Sequence, residues 1–323
     1  MKITVLGAGA FGTALARLLC ENGHDVLLWG HSAEHIEALR SARTNARHLP
    51  GVQLPDSLKF TDELGAHDAK LLVFAVPSKA IRQVATAVQG FKGIAVSVTK
   101  GIEHDSGLTM CGILGELLDA PVAALSGPTL ALEVAKGIPA AIVAASTDES
   151  ASQTVQNVFH RQTFRVYRST DLRGVEMGGA LKNVIAIGAG ACDGLGFGDN
   201  SKAALLTRAI AEVRRLGVAN GAQSETFAGL SGLGDLTVTC FSKLSRNRGF
   251  GERIGAGANP AELLTHSSHV VEGHPTARSA YRLARQLNVE TPIIDEVYAL
   301  LHEGKPLKQA IQDLIGREAK AED

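Results

Sequence analysis

Near the start of the chain lies the segment "KITVLGAGAFGTALA", residues 2–16, in which Gly7, Gly9 and Gly12 form a GxGxxG pattern. An apolar run precedes the glycines. Apolar residues at helical spacing follow them, namely Phe11, Ala14, Leu15, Leu18 and Leu19. A strand, a glycine turn and a helix in this order are typical of a dinucleotide-binding turn, because the glycines let a pyrophosphate approach the N-terminus of the helix. The alternative is a glycine-rich turn that binds no ligand.

Outward from this turn, the first half of the chain alternates short apolar runs with helical patterns. The predicted strands are 2–6, 26–29, 70–76, 94–99, 122–126, 140–145 and 164–167. Strands that alternate with helices form a mostly parallel sheet with helices on both faces. We therefore predict an α/β, Rossmann-type doubly wound domain over residues 1–170.

After residue 170 the pattern becomes helical. Apolar residues recur at three- and four-residue intervals, for example at Leu206, Ala209 and Val213 and again at Ile294, Val297 and Leu301. Such spacing gives a helix one apolar face. We predict an all-α substrate-binding domain over residues 171–323.

Composition and charge narrow the class of protein. The chain has 323 residues, 45% of them hydrophobic, and a formal net charge of −1. That charge argues against general attraction to nucleic acid or an anionic membrane. The four cysteines are far apart and form no CxxC, so we expect neither a zinc site nor a disulfide framework. Without a signal-peptide pattern or a spanning apolar run, we expect a cytoplasmic protein with no integral membrane association.

The end of the second predicted strand bears on which cofactor is preferred. An NAD-selective site usually has Asp or Glu at this point, to bind the ribose hydroxyls. The sequence reads "LLWGHSAEH", with Gly30, His31 and Ser32 where that carboxylate would stand. This leaves room for a 2′-phosphate, and we predict dual use or a preference for NADP. Glu34 is the residue that could reverse this preference.

Two loops follow strands of the predicted sheet. Lys100 lies in "VSVTKGI", and Gly127 and Thr129 lie in "LSGPTLALEVA". The carboxyl ends of parallel strands face the ligand crevice, so both loops are candidate site segments. A solvated lysine and an ordinary turn before a capped helix are the alternatives.

The helical half contains "GLSGLGDLTVTCFSKLSRNRGFG", residues 229–251. Asp235 is surrounded by apolar residues, where an unpaired carboxylate would be costly, so we expect a cation beside it. Ser245, Arg246, Asn247 and Arg248 form a cluster that could bind phosphate oxygens. The alternative is a solvated basic turn.

The segment "GGALKNVIAIGAGACDGLGFGD", residues 178–199, contains a second glycine pattern. Helical spacing of the residues before it, with Asp171 as a candidate N-cap, favours one long helix between the domains over a second cofactor turn. Lys182 and Asn183 lie near its middle. A lysine within so apolar a helix is expensive unless it is paired or functional.

Together these motifs resemble the bacterial NAD(P)-dependent glycerol-3-phosphate dehydrogenases over essentially the whole chain. The resemblance rests on the ordered segments "GAGAFGTALA", "LWGH", "NARHLPG", "VTKGI", "SGPT", "GGALKNVIAIGAGACDGLGFGDN", "GLGDLTVTC", "SRNRGFG" and "VVEG". It implies interconversion of dihydroxyacetone phosphate and sn-glycerol 3-phosphate with NADPH or NADH, supplying glycerol 3-phosphate for glycerophospholipid synthesis. It also makes a homodimer the first expectation.

The resemblance further implies roles for individual residues. Lys182 is implied as the catalytic acid/base. The residues implied around the substrate are Lys100, Gly127, Thr129, Lys182, Asn183, Asp235, Ser245, Arg246 and Asn247. Those on the cofactor side are Gly7, Gly9, Ala10, Phe11, Gly12, His31, Lys100, Ala131, Arg246, Val270 and Glu272. Family members often have Ser and an aromatic Trp or Tyr at the positions of Ala10 and Phe11, so only backbone contacts carry over there.

Two other functions remain as alternatives. Relatives that oxidise 3-hydroxy acids share a Rossmann domain, a helical domain and an interdomain lysine, but they bind a carboxylate. A non-catalytic redox sensor would bind the cofactor and leave Lys182, Asp235 and Arg246 without a role.

Overall fold

All seven predicted strands belong to one eight-stranded sheet in the computed structural model, which describes residues 1–265 and 270–318. The strands are β1 (Lys2–Leu6), β2 (Asp25–Trp29), β3 (Thr44–Asn45), β4 (Leu49–Gln53), β5 (Lys59–Thr61), β6 (Leu71–Phe74), β7 (Ile94–Ser97), β8 (Val122–Ser126), β9 (Ala140–Ala145) and β10 (Phe164–Ser169). Their order in the sheet is β10-β9-β8-β7-β6-β1-β2-β5, and β3 and β4 form a separate antiparallel hairpin. Only the β8–β9 pair within the large sheet is antiparallel in the described residues.

Helices cover both faces of this sheet. They are α1 (Ala10–Glu21), α2 (Ala33–Ala42), α3 (Ile81–Thr86), α4 (Met110–Leu117), α5 (Ala131–Ala135) and α6 (Glu149–Phe159), with a 3₁₀ turn at Ser78–Ala80. One apolar cluster buries α1 against one face, and a second buries α3 and α4 against the other. Central strands are apolar on both sides because both faces are covered, as in β6, which is buried throughout.

The second half of the chain is helical, as predicted. Its helices are α7 (Leu172–Gly194), α8 (Asp199–Ala219), α9 (Asp235–Phe241), α10 (Arg246–Gly255), α11 (Pro260–Thr265), α12 (Gly273–Gln286), α13 (Pro292–His302) and α14 (Leu307–Ile315). A 3₁₀ helix at Ser224–Ala228 and a π-helical turn at Leu230–Gly234 precede α9. No helix within the described residues is both long and apolar enough to cross a membrane.

Helix α7 is the long central helix predicted from residues 178–199. Asp171 caps it by accepting a hydrogen bond from the backbone N–H of Gly174 at 2.9 Å, as its sequence position indicated. Nearly the whole helix is buried, including Lys182. The interpretation of its glycines as a second cofactor turn is therefore excluded.

Glycines on both helices allow α7 and α10 to pack with their backbones almost in contact. A Cβ on Gly190 would lie 1.9 Å from the carbonyl oxygen of Arg248, and one on Gly251 would lie 1.9 Å from that of Ile187. No larger side chain fits at either position without separating the helices. The close packing fixes the position of the N-terminus of α10 relative to the middle of α7.

The structure differs from the predicted elements mainly at the edge of the sheet. The hairpin β3–β4 and the short strand β5 were not predicted, because they span only two, five and three residues and lack a continuous apolar run. The prediction placed the end of the third strand of its series at residue 76, whereas β6 ends at Phe74. Residues 75–77 instead begin the loop at the carboxyl edge of the sheet.

Candidate active site

The glycine turn between β1 and α1 has the geometry that a pyrophosphate requires. Gly7 has a φ of +129°, and a Cβ on Gly12 would lie 2.0 Å from the carbonyl oxygen of Gly7. A Cβ on Gly9 would meet nothing within 4 Å, and no side chain caps the N-terminus of α1 there. The first N–H groups of α1 are thus available to an anion, with the helix dipole in its favour. These residues fit a dinucleotide.

Asn45 holds this turn in place. Its side-chain amide donates to the carbonyl of Ala8 at 3.1 Å and to the hydroxyl of Thr13 at 2.8 Å. Asn45 is 1% exposed and belongs to the hairpin that the strand prediction missed. The only sequence signal was its place in "NARHLPG", to which no role was attached.

The loop after β2 carries the residues on which the cofactor preference was predicted. His31 is exposed, and Glu34 is exposed in the first turn of α2. The hydroxyl of Ser32 caps α2 by accepting from the N–H of His35 at 3.2 Å. No carboxylate stands at the strand end itself, so the cofactor preference inferred from this loop stays a prediction.

A buried carboxylate joins two lysines where the two halves of the chain meet. Asp235, at the start of α9, is 1% exposed. One of its oxygens forms an ion pair with Lys182 of α7, and the other accepts from Lys100, which follows β7, at 2.5 Å. Lys182 also donates to the hydroxyl of Thr239 at 2.8 Å. The cation expected beside Asp235 is present, and there are two of them.

Opposing effects set the pKa of Lys182. Burial lowers the pKa of its ammonium group to about 8; the charge of Asp235 opposes this, and Lys100 lowers the pKa further. Burial is the largest of these causes. Lys182 can therefore exchange a proton near neutral pH.

Two glycines bring this part of α7 to the carboxyl edge of the sheet. A Cβ on Gly179 would lie 2.5 Å from the hydroxyl oxygen of Ser126, the last residue of β8, and 3.5 Å from the side chain of Lys100. A Cβ on Gly178 would lie 2.6 Å from the carbonyl oxygen of Ser231 in the π-helical turn. One turn of small residues thus allows Lys182 to meet groups from both halves of the chain.

The neighbouring loop supplies a backbone acceptor. The ammonium group of Lys100 lies 3.5 Å from the carbonyl oxygen of Gly127, and the hydroxyl of Thr129 donates to the same oxygen at 3.2 Å. Ala131 begins α5 two residues further on. The structure therefore brings Lys100, Gly127 and Thr129 together, as expected for ends of neighbouring strands, and Lys100 joins them to Asp235.

The predicted phosphate cluster lies at the N-terminus of α10. Ser245 caps the helix by accepting from the N–H of Arg248 at 3.2 Å. Asn247 is buried; its amide donates to the side chain of Asn183 at 2.8 Å and accepts from the N–H of Gly273 at 2.9 Å. The side chains of Ser245 and Asn247 thus have partners within the protein. The other backbone N–H groups in the first turn of α10 are available to an anion.

The two arginines of "SRNRGFG" have different surroundings. Arg246 is exposed, yet enough protein surrounds its guanidinium group for desolvation to lower the pKa, while nearby Glu272 opposes this. Arg248 is buried and pairs with Asp193 at 2.7 Å and with Glu252 at 3.1 Å. Arg248 is thus paired with two carboxylates, whereas Arg246 is exposed. The substrate-binding roles of Ser245, Arg246 and Asn247 stay predictions.

Glu272 links the start of α12 to the first half of the chain. Its carboxylate accepts from the backbone N–H of Ser78 at 3.1 Å and from the hydroxyl of Ser78 at 2.5 Å. Ser78 lies in the loop after β6, and Val270, 37% exposed, lies two residues before Glu272. Ala10 and Phe11, half-buried at the start of α1, complete the predicted cofactor set.

Sequence reasoning missed three residues that contact this site. Thr239 binds Lys182 and lies four residues after Asp235 on the same face of α9, a spacing that could have revealed it. Asn45 contacts the site from β3 and Ser78 from the 3₁₀ turn after β6, and no local pattern identifies them. The fold and site together define an NAD(P)-dependent oxidoreductase with a Rossmann domain and a helical domain.

Comparison with known proteins identifies the family. The model of the NAD-dependent glycerol-3-phosphate dehydrogenase N-terminus matches residues 2–152, and that of the C-terminus matches residues 171–312. The chain therefore belongs to the NAD-dependent glycerol-3-phosphate dehydrogenase family. The predicted boundary at residue 170 falls between the two matches and stays a prediction.

Individual relatives agree over the full length. Glycerol-3-phosphate dehydrogenase [NAD(P)+] from Geobacter sp. (strain M21) is 47% identical over 99% of this chain and 98% of its own. The enzyme of the same name from Chlorobium luteolum is 46% identical over 100% of this chain and 99% of its own. The crystal structure of glycerol-3-phosphate dehydrogenase from Coxiella burnetii has a TM-score of 0.94 at 36% identity, with 98% of this chain and 99% of that chain covered.

Family membership confirms several predictions made from the sequence. The chain is an oxidoreductase that uses NAD or NADP, and its activity is the interconversion of dihydroxyacetone phosphate and sn-glycerol 3-phosphate. The Rossmann-type fold followed by a helical domain is confirmed as well. The roles of individual residues stay predictions.

Proposed function

We propose that Lys182 is the acid and base of this reaction and that Asp235 and Lys100 set its charge. The observation that carries the proposal is the buried carboxylate of Asp235, which binds Lys182 with one oxygen and Lys100 with the other. Burial lowers the pKa of Lys182 to about 8, towards neutrality. The three groups together carry one net positive charge, which suits an anionic substrate.

The chemistry follows from the charge that develops on the substrate. When bound, the nicotinamide supplies the hydride to the ketone or accepts it from the alcohol. As the ketone is reduced, negative charge builds on its oxygen, and the Lys182 ammonium group stabilises that charge and then donates its proton. In the reverse direction neutral Lys182 accepts the proton of the alcohol.

Positioning comes from the partners of Lys182. Asp235 and Thr239 hold its amino group in one place. Lys100 contributes a second positive charge at the same edge of the sheet, where Gly127 and Thr129 lie. A group held in this way needs little reorganisation during reaction.

We propose that Arg246 and the first N–H groups of α10 bind the substrate phosphate. An exposed guanidinium group beside a helix N-terminus provides both charge and directed donors. Ser245, Asn247 and Asn183 would line the same site. Asn247 also joins α10 to Asn183 of α7 and to Gly273 of α12, while Ser245 caps α10. The phosphate would then be held at a set distance from Lys182.

We propose that the cofactor binds across Gly7, Gly9 and Gly12, with Ala10 and Phe11 contributing backbone contacts. His31 would lie at the adenosine end, and Ala131, Val270 and Glu272 at the nicotinamide end. A preference for NADP rests on the absence of a carboxylate at the end of β2. The ratio of kcat/KM for NADPH and NADH tests it, and a strong preference for NADH would refute it.

The cellular role is also a proposal. A cytoplasmic enzyme, acting as a homodimer, would supply glycerol 3-phosphate for glycerophospholipid synthesis, as the family resemblance implies. The small net charge of −1 supports a small-molecule substrate over a nucleic-acid partner. Sedimentation of the purified protein would test the dimer.

One assay tests the reaction and its specificity together. Loss of NADPH absorbance should be rapid with dihydroxyacetone phosphate and slow with dihydroxyacetone and with a panel of oxo acids. Rapid turnover of a 3-oxo acid would favour the 3-hydroxy acid relatives, and no turnover of any of them would favour a redox sensor. If Arg246→Ala lowered activity with dihydroxyacetone phosphate but not with dihydroxyacetone, the substrate phosphate would be linked to this arginine.

A further inference from the structure

A polar groove lies away from the proposed active site, and none of its lining residues is assigned to the reaction. Its volume is about 380 Å³, and it is lined by His104, Arg278, Tyr281, Arg282, Arg285, Gln286 and Tyr298. His104 comes from the loop after β7, and the other residues come from α12 and α13. None of them belongs to the proposed substrate or cofactor set.

The charge of the groove is one-sided. Arg278, Arg282 and Arg285 follow one another at intervals of four and three residues, so they share a face of α12. The lining contains these three guanidinium groups and no carboxylate. Like charges at such spacing destabilise a helix, and a bound anion would remove that repulsion.

Only one of the three arginines is neutralised by the protein. Arg285 pairs with Asp295 at 2.8 Å, and Arg282 donates to the backbone carbonyl of His104 at 3.0 Å. Arg278 is exposed and forms neither an ion pair nor a hydrogen bond with the described residues. Two positive charges in the groove are therefore left without a counter-charge in contact.

His104 adds an unused polar atom. Its Nδ1 is buried and has no hydrogen-bond partner in the described part of the chain. Burial, followed by the charges of Arg278 and Arg282, lowers the pKa of its imidazole, while Asp105 opposes this. A buried polar group without a partner is uncommon in a folded protein and marks a place where a ligand or a water can bind.

Two tyrosines give the groove an aromatic wall. The rings of Tyr281 and Tyr298 stack with centroids 4.0 Å apart and planes 8° from parallel. The guanidinium group of Arg285 lies over the ring of Tyr281, 5.1 Å from its centroid. Stacked rings beside guanidinium groups can contact a planar base as well as an anion.

We propose that this groove binds a small anion that carries two phosphoryl groups, either free or as part of a nucleotide. The three arginines extend along about 10 Å of helix, which is more than one phosphate group can span. Guanidinium groups bind phosphate oxygens through paired hydrogen bonds. The ligand would contact the loop that carries Lys100 and also α12, and so both halves of the chain.

Isothermal titration with pyrophosphate, at low ionic strength and with saturating NADPH, tests the proposal. NADPH occupies the dinucleotide cleft, and the Arg246→Ala variant removes the proposed phosphate site of the substrate. We expect wild type and Arg246→Ala to bind pyrophosphate in the groove. Arg278→Gln and Arg282→Gln should weaken this binding about tenfold or more, because each removes a charge-assisted contact.

The matched control is Arg214→Gln, since Arg214 is likewise an exposed arginine on a helix but lies on α8. It should bind pyrophosphate as wild type does. Arg278 has no protein partner, so Arg278→Gln should keep the wild-type melting temperature and turnover of dihydroxyacetone phosphate. Equal affinity in wild type and Arg278→Gln, or complete loss of binding in Arg246→Ala, would overturn the proposal.

A second titration, with ADP, separates the two sources of the diphosphate. Tighter binding of ADP than of pyrophosphate, with the gain removed in Tyr281→Leu, would support a nucleotide stacked on the tyrosines. Equal affinity for ADP and pyrophosphate, weakened by Arg278→Gln and Arg282→Gln but not by Tyr281→Leu, would support a simple diphosphate.

Discussion

Replacing Asp235 by Asn should change how the rate depends on pH as well as the rate itself. In the wild type, a pKa of about 8 keeps about nine-tenths of Lys182 protonated at pH 7. An opposite charge about 4 Å away is worth roughly 4 kcal/mol at an effective dielectric constant of ~20, which is a factor of about 10³ in the protonation equilibrium. In Asp235→Asn the protonated fraction at pH 7 should fall to about one in a hundred.

The assay is the pH profile of kcat in both directions. Reduction of dihydroxyacetone phosphate needs protonated Lys182, so in the wild type it should decline as the pH rises above about 8, while oxidation of glycerol 3-phosphate rises. In Asp235→Asn, reduction at pH 7 should be about 100-fold slower and should recover towards acid pH. This direction follows because removing the carboxylate lowers the pKa of Lys182.

Thr239→Val is the matched control, since it removes a hydrogen-bond partner of Lys182 without removing a charge. It should cost at most about tenfold in rate, as expected for one hydrogen bond, and should leave the pH profile in place. A pH-independent loss in Asp235→Asn, with the wild-type pH profile retained, would show that the carboxylate does not control the proton of Lys182.

Three further outcomes follow from the structure. Lys182→Met should remove most of kcat while leaving NADPH binding, measured by fluorescence titration, near the wild-type value; near-normal turnover would contradict its role. Arg246→Ala should mainly raise KM for dihydroxyacetone phosphate, and an equal effect on an unphosphorylated analogue would argue against phosphate binding. Gly190→Ala should lower the free energy of unfolding by about 3 kcal/mol or more, because its Cβ would lie 1.9 Å from a carbonyl oxygen of Arg248, as denaturant titration can measure. Gly249→Ala, also on a helix but with nothing within 4 Å, is the control and should be neutral or slightly stabilising.

Much of the fold could be predicted from the sequence because its signals are local. The strand of residues 2–6, the turn at Gly7 and helix α1 follow from adjacent residues, and the structure places them as predicted. The central helix and its cap at Asp171 follow from spacing in the same way. The hairpin β3–β4 could not be predicted, since its short strands are held by contacts with the rest of the chain, such as Asn45 with Ala8.

The candidate site depends on both the local sequence and the tertiary structure. Lys182 and Asp235 stand out in the sequence because a charged side chain among apolar residues requires a partner. That they partner each other, and share the carboxylate with Lys100, was decided by α7 crossing the edge of the sheet at Gly179. These residues are separated by 53 and 135 positions, too far for any local pattern to connect them.

The sequence by itself determined the class of fold, the cofactor turn and the residue types of the site, since each depends on periodicity, glycine placement or the cost of an isolated charge. Only the tertiary structure decided which charges meet. It paired Arg248 with Asp193 and left Arg246 exposed, although the two arginines are only two residues apart. The physical reason is that burial and ion pairing depend on which helix faces pack together, and here the contact between α7 and α10 makes that choice.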